Sequence, residues 1–172
     1  MENIKVHHNF LTQTELDICV KTIENGVWKY GHKSNVSNEL ATPFFEMNLI
    51  DNAFFSTNLK QKIEKVYRKT LCLNRVYANG QAYGQDGSFH QDSDNPNDIT
   101  FCLYLSNVAD CLLDDIGGYL IIKIPNQLAV CIEPRYNTGV LFPSTYYHKG
   151  LAFNRYVQNM RICIAWKFTV LN

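Results

Sequence analysis

Arg161-Ile-Cys-Ile-Ala-Trp-Lys-Phe-Thr-Val170 is a nearly continuous apolar run that opens on an arginine. Its length and its β-branched and aromatic content read as a strand set into a sheet. Five shorter candidates precede it: Val76–Tyr83, Ile99–Ser106, Tyr119–Ile124, Leu128–Ile132 and Gly139–Phe142. Turn signals fall at Asn79-Gly80, Asp86-Gly87, Gly117-Gly118, Pro125-Asn126 and Asn137-Thr-Gly139. A basic residue at a strand start is usually a solvated cap. A guanidinium at the inner edge of this run instead requires an anionic partner, because an unpaired buried charge is costly. Its planar fork matches a carboxylate bidentately. Arg155, in the polar stretch Asn154-Arg-Tyr156, is the weaker candidate for that task.

Upstream of Arg75 the pattern is helical. Thr12-Gln-Thr-Glu15 has capping-box spacing, Leu16, Cys19, Val20 and Ile23 recur on one face, and Asn25-Gly26 supplies a stop. A second helix is expected from about Asn58 to Leu71, with Leu59, Ile63, Val66 and Tyr67 inward. Between them Lys29 to Pro43 is polar and turn-rich, and reads as a long mobile loop of the functional kind. Two helices followed by a string of short strands predict an α+β, mainly β chain: an antiparallel sandwich or jelly roll backed by N-terminal helices. No linker divides it, so residues 1–172 are expected to form one domain.

The chain has 172 residues, 46% of them hydrophobic, with sixteen basic and sixteen acidic side chains. The absence of a basic surplus disfavours nucleic acid as a partner. The apolar runs are too short to span a bilayer, and Met1-Glu2-Asn3-Ile4-Lys5 lacks the apolar core of a signal peptide. These features predict a cytoplasmic protein without a membrane partner. Six cysteines with no Cys-x-x-Cys pair read as small buried hydrophobes.

Phe89-His90-Gln91-Asp92 holds a His-x-Asp pair, and His148 follows the Phe142-Pro-Ser turn much later. Residues i and i+2 of a strand share a face, so the pair can grip one ion. Alone it is a weak motif, and Asp92 could belong to the polar turn Ser93–Asp98. With His148 it offers two imidazoles and one carboxylate, the facial triad of non-haem Fe(II) oxygenases. The same donors suit Zn(II) in a hydrolase, but that chemistry gives an arginine opening the following strand no role. His7, His8 and His32 lie on the N-terminal strand and in the loop, where solvated histidines are commoner.

With those residues in view, the chain resembles the 2-oxoglutarate- and Fe(II)-dependent dioxygenases in their prolyl 4-hydroxylase-like branch. Asn9-Phe-Leu-Thr-Gln-Thr-Glu-Leu16 is similar to the opening of the small prolyl 4-hydroxylases. Tyr77-Ala-Asn-Gly-Gln-Ala-Tyr83 is similar to their Tyr-x-x-Gly-Gln-x-Tyr element. The later half looks closer to the hypoxia-factor prolyl hydroxylases: His90-Gln-Asp92, Thr100-Phe-Cys-Leu-Tyr-Leu-Ser-Asn107, Gly117-Gly-Tyr-Leu120, Ile132-Glu-Pro-Arg-Tyr136, Val140-Leu-Phe142, His148 and Arg161, in that order.

The resemblance implies a double-stranded β-helix (a cupin-like jelly roll) and assigns His90, Asp92 and His148 to iron. It assigns Arg161 and Tyr104 to the distal carboxylate of 2-oxoglutarate, and Tyr77 to the pocket. It implies Fe(II), 2-oxoglutarate and O2 as cofactor and co-substrates, with ascorbate as a candidate reductant. The implied activity is hydroxylation of an unactivated C–H bond, releasing succinate and CO2, with a prolyl residue of a peptide or protein as the first substrate. Two other readings stand beside it: a hydroxylase of a free amino acid or small metabolite, and a catalytically silent jelly-roll binding module. The chain departs from the family in its longer interval from His148 to Arg161. Trp166 also falls on the opposite strand face from Arg161, so the family's active-site tryptophan carries over only through a bulge.

Overall fold

The computed structural model describes residues 3–171. Ten strands alternate with short helices in the order β1 (Lys5–His7), α1 (Gln13–Asn25), β2 (Lys29–His32), β3 (Phe44–Asn48), a π-helical turn (Phe54–Leu59) and α2 (Lys60–Tyr67). β4 (Thr70–Gln81), β5 (Asp98–Tyr104), a 3-10 turn (Asp110–Leu112) and α3 (Leu113–Ile116) follow. The chain closes with β6 (Leu120–Lys123), β7 (Val130–Ile132), β8 (Thr138–Pro143), β9 (Tyr147–Gly150) and β10 (Arg161–Leu171). All pairing is antiparallel: a major sheet ordered β1-β8-β5-β10-β4-β3-β2 and a minor sheet ordered β7-β6-β9. This is a jelly-roll arrangement, mostly β, with helices packed on the outer face of the major sheet.

The central strand β10 shows why its sequence is apolar almost throughout. Ile164, Trp166 and Phe168 enter the larger core, between the major sheet and helices α1 and α2. Cys163 and Ala165 enter a second core, shared with Leu120 and Ile122 of the minor sheet. A strand covered on both faces has no solvent side for polar residues to occupy. β5 follows the same rule, with Phe101 and Leu103 on the helix side and Cys102 and Tyr104 between the sheets.

Helix α1 forms as its sequence predicts. Thr12 and Glu15 cap it reciprocally, and Leu16, Cys19 and Ile23 are buried. The second helix differs at both ends. Helical structure begins at Phe54, and Arg68 turns left-handed (φ 53°) so that Leu71 belongs to β4. Leu59, Ile63 and Tyr67 recur every four residues and make a narrow buried stripe, which leaves Val66 on its flank, 39% exposed.

Three further expectations are corrected. Asn79-Gly80 is not a turn but lies within β4, paired with both β10 and β3. A Cβ on Gly80 would sit 3.1 Å from the Trp28 ring and 3.2 Å from Met160 Sδ, so glycine serves close packing there. Lys29 to Pro43 is not loop throughout, since its first four residues form the edge strand β2. Of the six cysteines only Cys19, Cys102 and Cys163 are buried; Cys72, Cys111 and Cys131 are exposed, and all six are free. Among the described residues no helix is long and apolar enough to cross a membrane.

Phe101 packs against Phe10, Tyr67 and Trp166 at centroid distances of 4.8, 6.0 and 5.7 Å. It also lies where a Cβ on Gly139 would stand, 2.5 Å from its ring. Phe101→Ala should therefore cost about 3–5 kcal/mol of stability. Urea unfolding measures it, and a loss below about 1 kcal/mol would mean the core closes around the gap.

Candidate metal centre

His90 and His148 are brought together by the backbone. Each donates its N–H to the other's carbonyl, at 3.1 and 2.9 Å, an antiparallel pair that fixes the two residues opposite one another. Their rings lie 4.4 Å apart. His90 Nδ1 is 2.9 Å from the carbonyl of Ser88, and His148 Nδ1 is 2.9 Å from that of Tyr146. A carbonyl only accepts, so each Nδ1 carries the hydrogen and, in the neutral ring, Nε2 keeps the free lone pair. Such outer bonds are how metal-binding imidazoles are held in one tautomer.

Both Nε2 atoms face Asp92: His90 Nε2 is 3.4 Å from Oδ1, and His148 Nε2 is 3.3 Å from Oδ2. The three ligand atoms all lie within 4.8 Å of one another. Asp92 is itself fixed, donating its N–H to the Ser144 carbonyl at 3.0 Å and accepting from Thr100 Oγ1 at 2.5 Å. Lys167 Nζ forms an ion pair with the same Oδ2. Burial alone would raise the Asp92 carboxyl. The nearby Lys167 charge, with help from His90 and His148, holds it well below the usual carboxylate range. Burial pushes His148 down to about 4, against the opposing pull of Asp92. At neutral pH the cluster therefore offers the neutral imidazole of His148 and the carboxylate of Asp92, with His90 Nε2 turned toward the same carboxylate.

The same cavity, of about 210 Å³, reaches Arg161. This arginine is 3% exposed. Its Nε donates to the Gly118 carbonyl at 2.8 Å and its Nη1 to Gln81 Oε1 at 2.9 Å. Among the described residues no carboxylate pairs with it. Its guanidinium stands 5.0 Å from the ring centroid of Tyr104, whose buried hydroxyl has no hydrogen-bond partner among the described residues. A buried cation with only neutral partners, beside an orphaned hydroxyl, fits a carboxylate supplied from outside the chain.

No protein-family model matches the chain, and no curated protein matches it by sequence. Solved structures do. An oxidoreductase of the 2OG-Fe(II) oxygenase family from Burkholderia pseudomallei superposes with a TM-score of 0.75 at 11% identity, covering 98% of this chain and 85% of that one. A prolyl hydroxylase from Trichoplax adhaerens, in complex with a hypoxia inducible factor peptide, gives 0.75 at 17% identity, covering 97% and 83%. The fold is that of the 2OG-Fe(II) oxygenases. A Pseudomonas putida prolyl-4-hydroxylase shares it as well, with a TM-score of 0.67 at 14% identity, covering 97% and 92%.

On this oxygenase fold the residues singled out in the sequence fall into two groups. His90, Asp92, His148, Arg161 and Tyr77 line one cavity. Tyr104 lies beneath Arg161, outside the cavity wall proper. Arg155 is exposed and reaches only Tyr156, so it plays no part in the cavity. Trp166 sits in the helix-side core, its Nε1 donating to the Phe55 carbonyl at 3.0 Å. Lys167, one residue later, shares the cavity face with Arg161. Sequence reasoning passed it over because a lone lysine in a strand reads as solvated; its even spacing from Arg161 was the available signal. His32 also lines the cavity, paired with Glu46 at 2.7 Å. The segment after β2 is tied down where a mobile loop is expected. Ser34 Oγ accepts from the Ser88 N–H at 2.8 Å and donates to the Ser88 carbonyl at 3.3 Å, while Asn35 Nδ2 donates to the Phe89 carbonyl at 3.4 Å.

The lowered His148 has a consequence for acid stability. Between its ordinary 6.5 and about 4, the unfolded chain takes up a proton that the folded chain refuses. The contribution is complete above that window and is lost as pH falls through it. In metal-free protein the urea midpoint should drop between pH 7 and pH 5, and His148→Phe should drop less. An equal drop would show that His148 titrates normally.

Proposed function

We propose that the protein is an Fe(II)- and 2-oxoglutarate-dependent dioxygenase that hydroxylates an unactivated C–H bond, and that residues 1–172 act as one catalytic domain. The observation that carries this reading is the coexistence, in one cavity, of two free imidazole lone pairs and a carboxylate with a buried arginine that has no acidic partner. His90, Asp92 and His148 hold the iron on one side and leave its other positions open, as a facial triad does. Arg161 takes the distal carboxylate of 2-oxoglutarate, with the unpartnered hydroxyl of Tyr104 beside it. Tyr77 walls the cavity next to the triad. Iron, 2-oxoglutarate and O2 together supply the oxidising power that converts C–H to C–OH, leaving succinate and CO2. The protein's part is to fix the ligands, exclude water and orient the substrate.

For the substrate we take a prolyl residue. The support is the prolyl hydroxylases among the structures of like fold, one of them holding a peptide, together with the Tyr77–Tyr83 and His90–Asp92 motifs. The test is succinate formation with Fe(II), 2-oxoglutarate, ascorbate and a panel of proline compounds, with mass spectrometry for one added oxygen. His90→Ala, Asp92→Ala and His148→Ala should each abolish turnover while the far-UV spectrum is kept. Arg161→Gln should raise the 2-oxoglutarate requirement by about 2–5 kcal/mol, as expected when a buried charge pair loses one partner. Full activity in any triad variant would refute the assignment of the iron ligands. A large effect from Arg155→Gln would refute that of the arginine.

A further inference from the structure

Lys167 enters the cavity from the face of β10 that also carries Arg161, Cys163 and Ala165. Its side chain is 14% exposed, and Asp92 is its ion-pair partner. Among the described residues its one other side-chain hydrogen bond, to Thr100 Oγ1, is long at 3.5 Å. Asp92 does not depend on the lysine for its orientation, because Thr100 and the Ser144 carbonyl already hold it. Arg75 at the rim is differently placed, since it pairs with Glu46. Lys167 is thus a buried ammonium whose one counter-charge is a carboxylate that the reading above gives to iron.

Counting charges makes the point sharper. Fe(II) brings two positive charges, and Arg161 and Lys167 bring one each. Asp92 supplies one negative charge and 2-oxoglutarate two. Setting aside Lys33, a cavity-lining lysine that is only part-buried, one positive charge remains uncompensated among groups as buried as Lys167 (14% exposed) and Arg161 (3% exposed), where an unpaired charge is costly. The co-substrate cannot meet it, having one carboxylate on Arg161 and the other at the metal. Arg161 and Lys167 also start about 20 Å apart along the strand, from the rise of an extended chain. An anion carried by the primary substrate would meet it.

We infer that Lys167 receives the α-carboxylate of the residue that is hydroxylated. The site then selects a prolyl residue ending in its own free carboxylate, either free proline or the last residue of a peptide, over one in mid-chain. This rests on the oxygenase reading and narrows it. An ammonium touching an iron ligand holds its anion within a few bonds of the reacting C–H, so the carboxylate sits on the oxidised residue itself.

Calorimetry on protein loaded with Zn(II) and 2-oxoglutarate tests this without turnover. The probes are L-proline, L-prolinamide, Gly-Pro, Gly-Pro amide and a peptide with proline in mid-chain. The free carboxylates should bind at least about tenfold more tightly than their amides, as for a charge pair made in a buried site. L-Proline against Gly-Pro distinguishes the free amino acid from the chain end. Lys167→Gln should erase the difference and Lys167→Arg should keep it. Amides or the mid-chain peptide binding as well as the carboxylates, or none of the probes binding, would overturn the inference. So would a preference that survives in Lys167→Gln, or a Lys167→Gln variant that loses 2-oxoglutarate affinity instead. Protein that takes up neither Zn(II) nor 2-oxoglutarate in the preceding titrations would sink the oxygenase reading along with it. Uptake of both without a carboxylate preference sinks this inference alone.

Discussion

β10 is buried on both faces, and the two-residue period of an extended chain decides what each of its side chains can be. On one side Ile164, Trp166 and Phe168 tie the sheet to the helices. On the other, Arg161, Cys163, Ala165 and Lys167 face the cavity. A slip of one residue would bury two cations among aromatic rings and leave the tryptophan in the cavity. Few errors of register would cost more. The register is held by eleven paired positions with β4 and seven with β5, with the only irregularity at Lys167/Phe168, past the cavity residues.

The same separation governs the electrostatics. The cavity gathers charges that ordinary packing would not tolerate. Asp92 is held anionic chiefly by Lys167, against the effect of its burial, and His148 is held neutral by its burial. The ring nitrogens that face away from the cluster are committed to backbone carbonyls. Arg161 alone is satisfied entirely by neutral groups, a carbonyl and an amide oxygen. Hydrogen bonds meet its donors but leave its charge unanswered, and that makes it the natural anchor for an anion.

Much of this was legible in the sequence, for identifiable reasons. The Thr12–Glu15 cap, the Leu16–Ile23 stripe and the run after Arg161 are local patterns with one physical solution, and all three form. The cluster of His90, Asp92 and His148 was legible because few other arrangements give those residue types a common purpose. What escaped depended on distant contacts. Asn79-Gly80 has the local chemistry of a turn, but Trp28 and Met160 need the space that a side chain would fill. β2 is a polar edge strand, formed because β3 offers it a partner, and nothing in Lys29-Tyr-Gly-His32 announces that partner. Val66 looked inward on a broad helical face that proved to be a narrow stripe. Lys167 hid behind its own residue type: a lysine ordinarily needs no explanation beyond water, and only the phase of its strand sets it apart.

The Ser88 carbonyl accepts two hydrogen bonds, one from the ring of His90 and one from the hydroxyl of Ser34. The first belongs to the His90–Asp92–His148 cluster and the second to the strap of chain that follows β2. A single oxygen is therefore shared between the strap and the imidazole of His90. Were the strap displaced, the imidazole would be the carbonyl's sole claimant; its hydrogen bond to that oxygen would tighten, and its far nitrogen would become a better electron donor. The ring and the strap are thus coupled through one peptide unit, with no moving domain in between.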